Sequence, residues 1–387
     1  MFLKTVMERN QPLVRLGIEW QQNGVILPDT YLLDYDTILE NARSIKQAGD
    51  ANGVQNFFML KQIGRNPLIA RALTDMGYVG AVCVDFREAL TMVENQIPLG
   101  NVGHLVQIPR AALKKILRAK PVIVTVYTLE KAREISAVCT ELGLHQKLML
   151  RVLGEGDMLY SGQYGGFELQ ELDSAVRAIE AMPNVEVGGV CSFPCFLYDE
   201  AAQDILPMPN LRTVQTAAEM LRARGYRDLM LNTPSATCTH SIPMIAAAGG
   251  THGEPGHGLT GTTPYHAGHP DAEERPGYLY VSEVSHNLGD KAYCYGGGHY
   301  RRSHMKNALV GTTPENAKVV PVLPPDDSSI DYHFELQQNC PVSAAAVMAF
   351  RTQFFVTRSR VAVVKGLSSG KPELAGLYSA LGESVRE

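Results

Sequence analysis

Eight short runs of β-branched and aliphatic residues begin at Val54, Gly80, Gly103, Pro121, Gln146, Val185, Asp228 and Gly250, with helical stretches between them. This alternation is the pattern of βαβ units, which bury parallel strands beneath helices. Apolar stripes at helical spacing mark the stretches between: Leu129, Ala132, Ile135, Cys139 and Leu142 in one, Leu169, Leu172, Val176 and Ile179 in a second, Leu211, Val214, Ala218 and Leu221 in a third. A helix is also predicted ahead of the first strand, where Thr37 and Glu40 have the spacing of a capping box before Ile38, Ala42 and Ile45. Eight such repeats predict an N-terminal (β/α)8 TIM barrel over residues 30–265, a fold of about 250 residues whose chemistry lies where strands end and loops begin. An open doubly wound sheet is the alternative, because spacing alone does not close a barrel.

The texture changes after Tyr265. A stretch rich in Pro, Gly and acids (269–277) leads into the strand-like segments YLYVSEV, KAYCY, AKVVPVL, AAVMAF and RVAVVKG, and no helical stripe returns before Glu373. Residues 266–387 therefore read as a C-terminal antiparallel β-domain, completed by residues 1–29 through the stretch VRLGIEW.

Composition narrows the classes of partner. Hydrophobic residues at 45% can build a large core, and a formal charge of −5 supplies no basic field for nucleic acid. The first ten residues carry Lys4, Glu8 and Arg9, and no run approaches the roughly 18 apolar residues needed to span a membrane. Seven cysteines, odd in number and scattered, fit reduced thiols better than a disulfide framework. A cytoplasmic protein without nucleic-acid or membrane partners is the expectation.

Chemistry is sought at strand ends. In NFFMLK the pleat puts Phe57, Met59 and Lys61 on one face, so Lys61 emerges at a strand's C-terminal rim after two large apolar residues. Lost hydration there lowers an amine's pKa from about 10.4 and favours the neutral nucleophile that forms Schiff bases; the plainer alternative is a lysine that snorkels to water. The run THGEPGHGLTG, from Thr251 to Gly261, has the glycines that let backbone N–H groups converge on an anion, with Glu254 beside them as an acceptor for a protonated ring nitrogen. Phe193 and Ser235 end the sixth and seventh strands and present an aromatic face and a hydroxyl. Tyr295 is a candidate proton donor or base, and Arg351 a candidate bidentate carboxylate anchor. His240, His252, His257, His266 and His269 crowd together, yet no Cys/His pair has a strong zinc spacing, and no metal centre is predicted.

A lysine ending strand 1, a glycine nest ending strand 8 and an all-β C-terminal domain together resemble the fold-type III pyridoxal-phosphate enzymes, the family of alanine racemase and ornithine decarboxylase. LLDYDTILENARSIK is similar to the family's opening strand and helix, FFMLK to its cofactor-lysine strand, and THGEPGHGLTG to its phosphate loop. Glu254-Pro255-Gly256 resembles the decarboxylase form of that loop, whereas YLYVSEVSHNLGDKAYCYGGGHY resembles the racemase segment that carries the second base. With AFRTQFFVTRS near the end, the chain is most similar to the YhfX-type branch.

The resemblance implies pyridoxal 5'-phosphate as cofactor, a small amino-acid substrate and a homodimer. It implies Lys61 as the amine that takes the cofactor's aldehyde and Glu254 as the partner of the pyridine nitrogen. The backbone N–H groups of Gly256 and His257 and the Ser235 hydroxyl would hold the phosphate, and Tyr295 would reach the other subunit's site as the opposing base. Three departures stand out: Arg65 replaces a tyrosine four residues after the lysine, Phe193 a ring-side histidine, and Glu254 the racemases' arginine. Racemisation or epimerisation through Lys61 and Tyr295 is the expected activity. Decarboxylation is the alternative, although Cys294 lacks the acidic follower found in decarboxylases, and a non-catalytic cofactor carrier is the third reading.

Overall fold

Gln55–Asn56 and Phe58–Met59 are two halves of one extended segment, interrupted at Phe57, and they pair with different neighbours. Gln55 and Asn56 run parallel to His252 and Gly253, while Phe58 and Met59 run parallel to Ala81 and Val82. Between these ends the parallel order continues through Ala81–Cys83, Leu99–Val102, Ile123–Val126, Gln146–Leu153, Val185–Cys191, Met230–Asn232 and His252–Gly253. The sheet thus meets itself at the broken segment, as a nearly closed barrel of parallel strands rather than an open sheet.

The computed structural model describes residues 2–385, so residue 1 and residues 386–387 of the predicted β-domain lie outside the described residues. They divide into two units, a barrel unit of Arg43–Leu60 and Pro67–Gly256, and a sheet unit of residues 2–42, 61–66 and 257–385.

In the barrel unit the predicted stripes are buried faces: Ala132, Ile135 and Cys139 on Leu129–Leu142, Leu172, Val176 and Ile179 on Leu172–Glu180, and Leu211, Val214, Ala218 and Leu221 on Pro209–Ala223. The third strand departs from expectation. It occupies Leu99–Val102, not the run beginning at Gly103, because Gly103 turns at φ +90°, where a Cβ would meet the Thr125 carbonyl oxygen at 2.7 Å. Inside the barrel Phe57, Met59, Val82, Val84, Ile123, Met149 and Cys191 form an apolar cluster.

In the sheet unit nine strands follow the order Lys291–Tyr295, His333–Leu336, Lys318–Leu323, Asn307–Gly311, Ala345–Met348, Tyr278–Leu288, Thr30–Asp34, Arg360–Lys365 and Glu373–Ser379. Lys291–Tyr295 also pairs with Tyr278–Leu288, closing the first six into a ring. Pairing is antiparallel except between Thr30–Asp34 and Arg360–Lys365.

Three local expectations are corrected here. VRLGIEW lies in the helix Gln11–Gln22, capped by the Asn10 side chain, and presses on the sheet so closely that a Cβ at Gly17 would sit 3.3 Å from Leu279. Residues from Glu373 form a strand, Glu373–Ser379, because the edge of Arg360–Lys365 offers a ladder to a segment that Gly376 weakens as a helix. The helix Tyr35–Asn52 is started by Asp34 rather than by a Thr37–Glu40 box. The Asp34 carboxylate accepts from the Thr37 backbone N–H (3.2 Å) and hydroxyl (2.6 Å), and Glu40 pairs with Arg275.

Candidate functional site

Beyond the apolar cluster the barrel strands turn polar: Thr125 and Arg151 come two residues after Ile123 and Met149, and Asn101, Asn232 and Glu254 lie at the ends of other strands, with Cys191 of the cluster itself beside them. All six are buried. Glu254 is the acid at their centre. Its Oε1 accepts from Asn232 Nδ2 at 2.6 Å and from Asn101 Nδ2 at 3.4 Å, and its backbone N–H donates to Thr237 Oγ1 at 3.1 Å. Thr125 in turn donates to Asn101 Oδ1 at 2.7 Å, which turns the Asn101 amide nitrogen toward the carboxylate. Two amide donors thus converge on one oxygen of a buried carboxyl group.

His104 brings its Nε2 to 3.7 Å from Glu254 Oε2 and its Nδ1 to 3.9 Å from Cys191 Sγ. Burial pushes the Cys191 thiol up to about 12, so it stays protonated. Phe193 meets the His104 ring edge-on at 5.6 Å and Tyr160 at 5.7 Å, linking the end of the sixth strand to the loop after the fifth. Arg151 donates to Tyr127 Oη and to the Gln163 carbonyl, both at 2.8 Å, and the Tyr127 hydroxyl donates to the His104 carbonyl at 2.6 Å. Arg151 Nε and Asn232 Oδ1 are buried without a hydrogen-bond partner among the described residues, a cost that a polar ligand offsets. The Ser235 hydroxyl donates to the Phe196 carbonyl at 2.8 Å. Gly256, also buried, follows Pro255, whose carbonyl accepts from the Met59 N–H at 2.9 Å.

The sheet unit gathers charge of the other sign. Lys61 is half-buried, and its carbonyl accepts from the Phe354 N–H at 3.0 Å, which ties the segment after Ala345–Met348 to the lysine. Arg351, in that segment, donates from Nε to His257 Nε2 at 3.4 Å. The other ring nitrogen of His257 bonds Thr262 Oγ1 at 3.1 Å, and Thr262 bonds Thr260 at 2.8 Å. Burial first, then Arg351, Lys61 and His266, hold the His257 imidazole well below the usual histidine range and therefore neutral. Arg65 is fully buried, with its guanidinium 5.2 Å over the Phe355 ring. Tyr295 ends its strand with 39% of its surface exposed and lies 5.8 Å from the His333 ring.

The histidine-rich segment disperses among separate partners. His240 pairs with Asp204 (2.7 Å), His252 stacks on Phe57 (5.1 Å), His266 pairs with Glu274 (3.0 Å) and His269 stacks on Tyr265 (4.0 Å). Among the described residues no three His, Cys, Asp or Glu side chains are grouped to hold a metal, and no helix is long and apolar enough to cross a membrane. Of the expected site residues, then, the structure brings Lys61, His257 and Arg351 together in one unit and links Phe193 to Glu254 through His104 in the other. Sequence reading missed Asn101, Thr125, His104, Tyr127 and Arg151. For Asn101, Thr125 and Arg151 the available signal was a polar residue two positions after an apolar one on successive strands.

Residues 33–264 match the family model of the alanine racemase N-terminal domain, and residues 279–374 match that of the YhfX-like C-terminal domain. Over the full length of both chains, 43% of residues are identical to the uncharacterized protein YhfX of Escherichia coli (strain K12). Among solved structures, D-threonine aldolase from Filomicrobium marinum is similar with a TM-score of 0.67 at 16% identity, covering 92% of this chain and 94% of that one. Alanine racemase from Clostridium difficile 630 gives 0.64 at 13% identity, covering 92% and 99%. A D-threo-3-hydroxyaspartate dehydratase gives 0.64 at 15% identity, covering 90% and 97%. At these identities the likeness is one of fold.

Proposed function

Because the chain belongs to the alanine racemase-like family of fold-type III enzymes, in its YhfX-like branch, we propose that it is a pyridoxal-phosphate-dependent amino-acid racemase or epimerase working as a homodimer. The observation that carries this reading is Glu254, a buried carboxylate at the end of the eighth strand gripped by two amides. Such a group suits a protonated pyridine nitrogen, and the orphaned Arg151 Nε and Asn232 Oδ1 in the same polar layer fit a polar ligand. When bound, the cofactor supplies an electron sink that stabilises a carbanion at Cα.

The chain's own residues supply the rest. Lys61 is the amine that holds the cofactor's aldehyde and exchanges a proton with Cα on one face. Tyr295, partly exposed at the end of its strand, would reach the second copy's site and exchange the proton on the opposite face. Glu254 would hold a proton on the ring nitrogen, and Asn101 and Asn232 hold Glu254 in place. Phe193 would lie against the cofactor ring, and the backbone N–H groups of Gly256 and His257, with Ser235, would hold its phosphate. Arg65, buried against Phe355, holds the turn after the lysine.

One observation favours a second reading. A carboxylate at the ring nitrogen makes a stronger sink than an arginine does, which serves decarboxylation or cleavage beyond Cα equally well. Against decarboxylation through a cysteine, burial pushes the Cys294 thiol up to about 12, out of range as a proton donor at neutral pH. The deciding experiment incubates the loaded protein with single enantiomers of a panel of amino acids in D2O. Deuterium at Cα of both enantiomers with the carboxyl group retained supports racemisation; loss of carbon dioxide or release of an aldehyde without inversion overturns it.

A further inference from the structure

We infer that Asp331, clipped in place by Arg358, is the positioning residue of Tyr295: it fixes the glycine turn that follows the tyrosine and so sets the direction of the phenol. The inference rests on the reading of Tyr295 as the opposing base and names the residues that hold that base in place.

Tyr295 is the last residue of Lys291–Tyr295, so the strand ladder holds it on one side only. On that side the hold is secure: Tyr295 stands opposite His333, and its carbonyl accepts from the Ser282 hydroxyl at 2.6 Å. On the other side come Gly296, Gly297 and Gly298, residues whose wide backbone freedom would let the strand end swing. The structure removes that freedom at each of them. The Gly296 N–H donates to the Tyr332 carbonyl at 2.8 Å. The Gly297 N–H (3.1 Å) and the His299 N–H (3.0 Å) converge on one side-chain oxygen of Asp331, as backbone amides do around a bound anion. The Gly298 carbonyl accepts from the Tyr31 hydroxyl.

Arg358 joins the turn to its anchor. Its guanidinium donates to the other Asp331 side-chain oxygen at 2.7 Å and to the Asp331 carbonyl at 2.9 Å, while its own backbone N–H donates to the Gly297 carbonyl at 3.3 Å. Charge-assisted bonds of this kind are stronger than neutral ones, and here both oxygens of one acid are engaged. Space is as tight as the bonding: a Cβ at Gly296 would run into the Asp331 carbonyl, and one at Gly297 (φ +128°) into the Asp29 side chain. The glycines therefore serve close approach, and the rigidity comes from Asp331 and Arg358. A proton-transferring group gains from such fixing, because a misplacement of about 1 Å can cost on the order of 10²-fold in rate.

The test compares Asp331→Ala, Asp331→Asn, Arg358→Gln and Tyr295→Phe with the unaltered protein in two measurements. The first needs no cofactor: protein grown with 3-fluorotyrosine is followed by 19F NMR, the Tyr295 line being the one missing from Tyr295→Phe. In Asp331→Ala that line should sharpen and move to the position of free fluorotyrosine. In Asp331→Asn, whose amide oxygen still accepts from the two N–H groups, it should move part of the way. The second measures inversion and Cα deuterium exchange separately for a racemised amino acid. Tyr295→Phe should exchange one enantiomer without inverting it. Asp331→Ala should lower inversion ~30–100-fold and that exchange less than ~3-fold, with Asp331→Asn and Arg358→Gln losing less. If Asp331→Ala and Arg358→Gln leave the fluorine line and inversion unchanged while Tyr295→Phe stops inversion, the positioning role fails and the reading of Tyr295 stands. If the Asp331 and Arg358 variants all lower exchange and inversion together, these residues merely maintain the fold and the inference fails. If the unaltered protein inverts no amino acid, or Tyr295→Phe inverts at the full rate, the reading of Tyr295 fails and this inference with it.

Discussion

The barrel unit and the sheet unit each hold a polar cluster at expected site residues, one built around a carboxyl group and the other around a neutral imidazole. In the barrel unit the Glu254 carboxyl group is surrounded mainly by neutral amides and hydroxyls. In the sheet unit a neutral imidazole, His257, is flanked by Arg351 and Lys61, so cationic charge is concentrated around a group that carries none. Under the proposal above, the first would suit a proton-bearing ligand atom and the second an anionic one.

The sharpest way to break this contrast is at Lys61. Lys61→Ala should lower Cα deuterium exchange at least ~10³-fold, measured by mass spectrometry of the amino acid, with the folded state intact by circular dichroism. Glu254→Gln comes next. It removes the one formal negative charge from the amide cradle and should cost about 10²–10³-fold in exchange rate while cofactor affinity changes little. A 15N resonance of the labelled pyridine ring should move to the unprotonated range, and an unchanged resonance would refute the role given to this carboxylate.

Much of the fold was legible in the chain. Lys61 and Glu254 stand in motifs whose apolar approach or glycine context announces a strand end, and the alternation of strands and stripes announced the barrel. The residues around Glu254 were not legible, because Asn101 lies 153 positions from it and only barrel closure brings the third strand's end near the eighth's. VRLGIEW misled for a different reason. Val14, Leu16 and Ile18 alternate as a strand would, while Leu13, Leu16, Gly17 and Trp20 also satisfy a helix; the Asn10 cap and the close seat at Gly17 decide for the helix.

Two smaller predictions sharpen the contrast through pH. In the barrel unit, burial lowers His252 to about 4, so below pH 6.5 the unfolded chain takes up a proton that the folded chain refuses. Stability present above pH 6.5 is lost as pH falls toward 4, by about 2–3 kcal/mol at pH 4.5. His252→Leu should remove most of that acid-side loss in urea unfolding.

In the sheet unit the sign reverses. Burial first raises Asp29 to about 6, against hydrogen bonds from Ser359 and Tyr280. Its contribution is fully present below about pH 4 and is lost as pH rises through 6, about 1–2 kcal/mol after allowing for partial exposure. Asn tolerates the left-handed backbone at this position (φ +62°), so Asp29→Asn should stabilise the protein at pH 7 and leave it nearly unchanged at pH 4. A pair of variants with the same sign of pH dependence would erase the distinction between the two units.

The most direct test of the whole account is a borohydride-reduced peptide map of the protein after incubation with pyridoxal phosphate. The account predicts one pyridoxyl group, carried by the peptide that contains Lys61. A stable pyridoxyl group on a different lysine, or none on any, would contradict it.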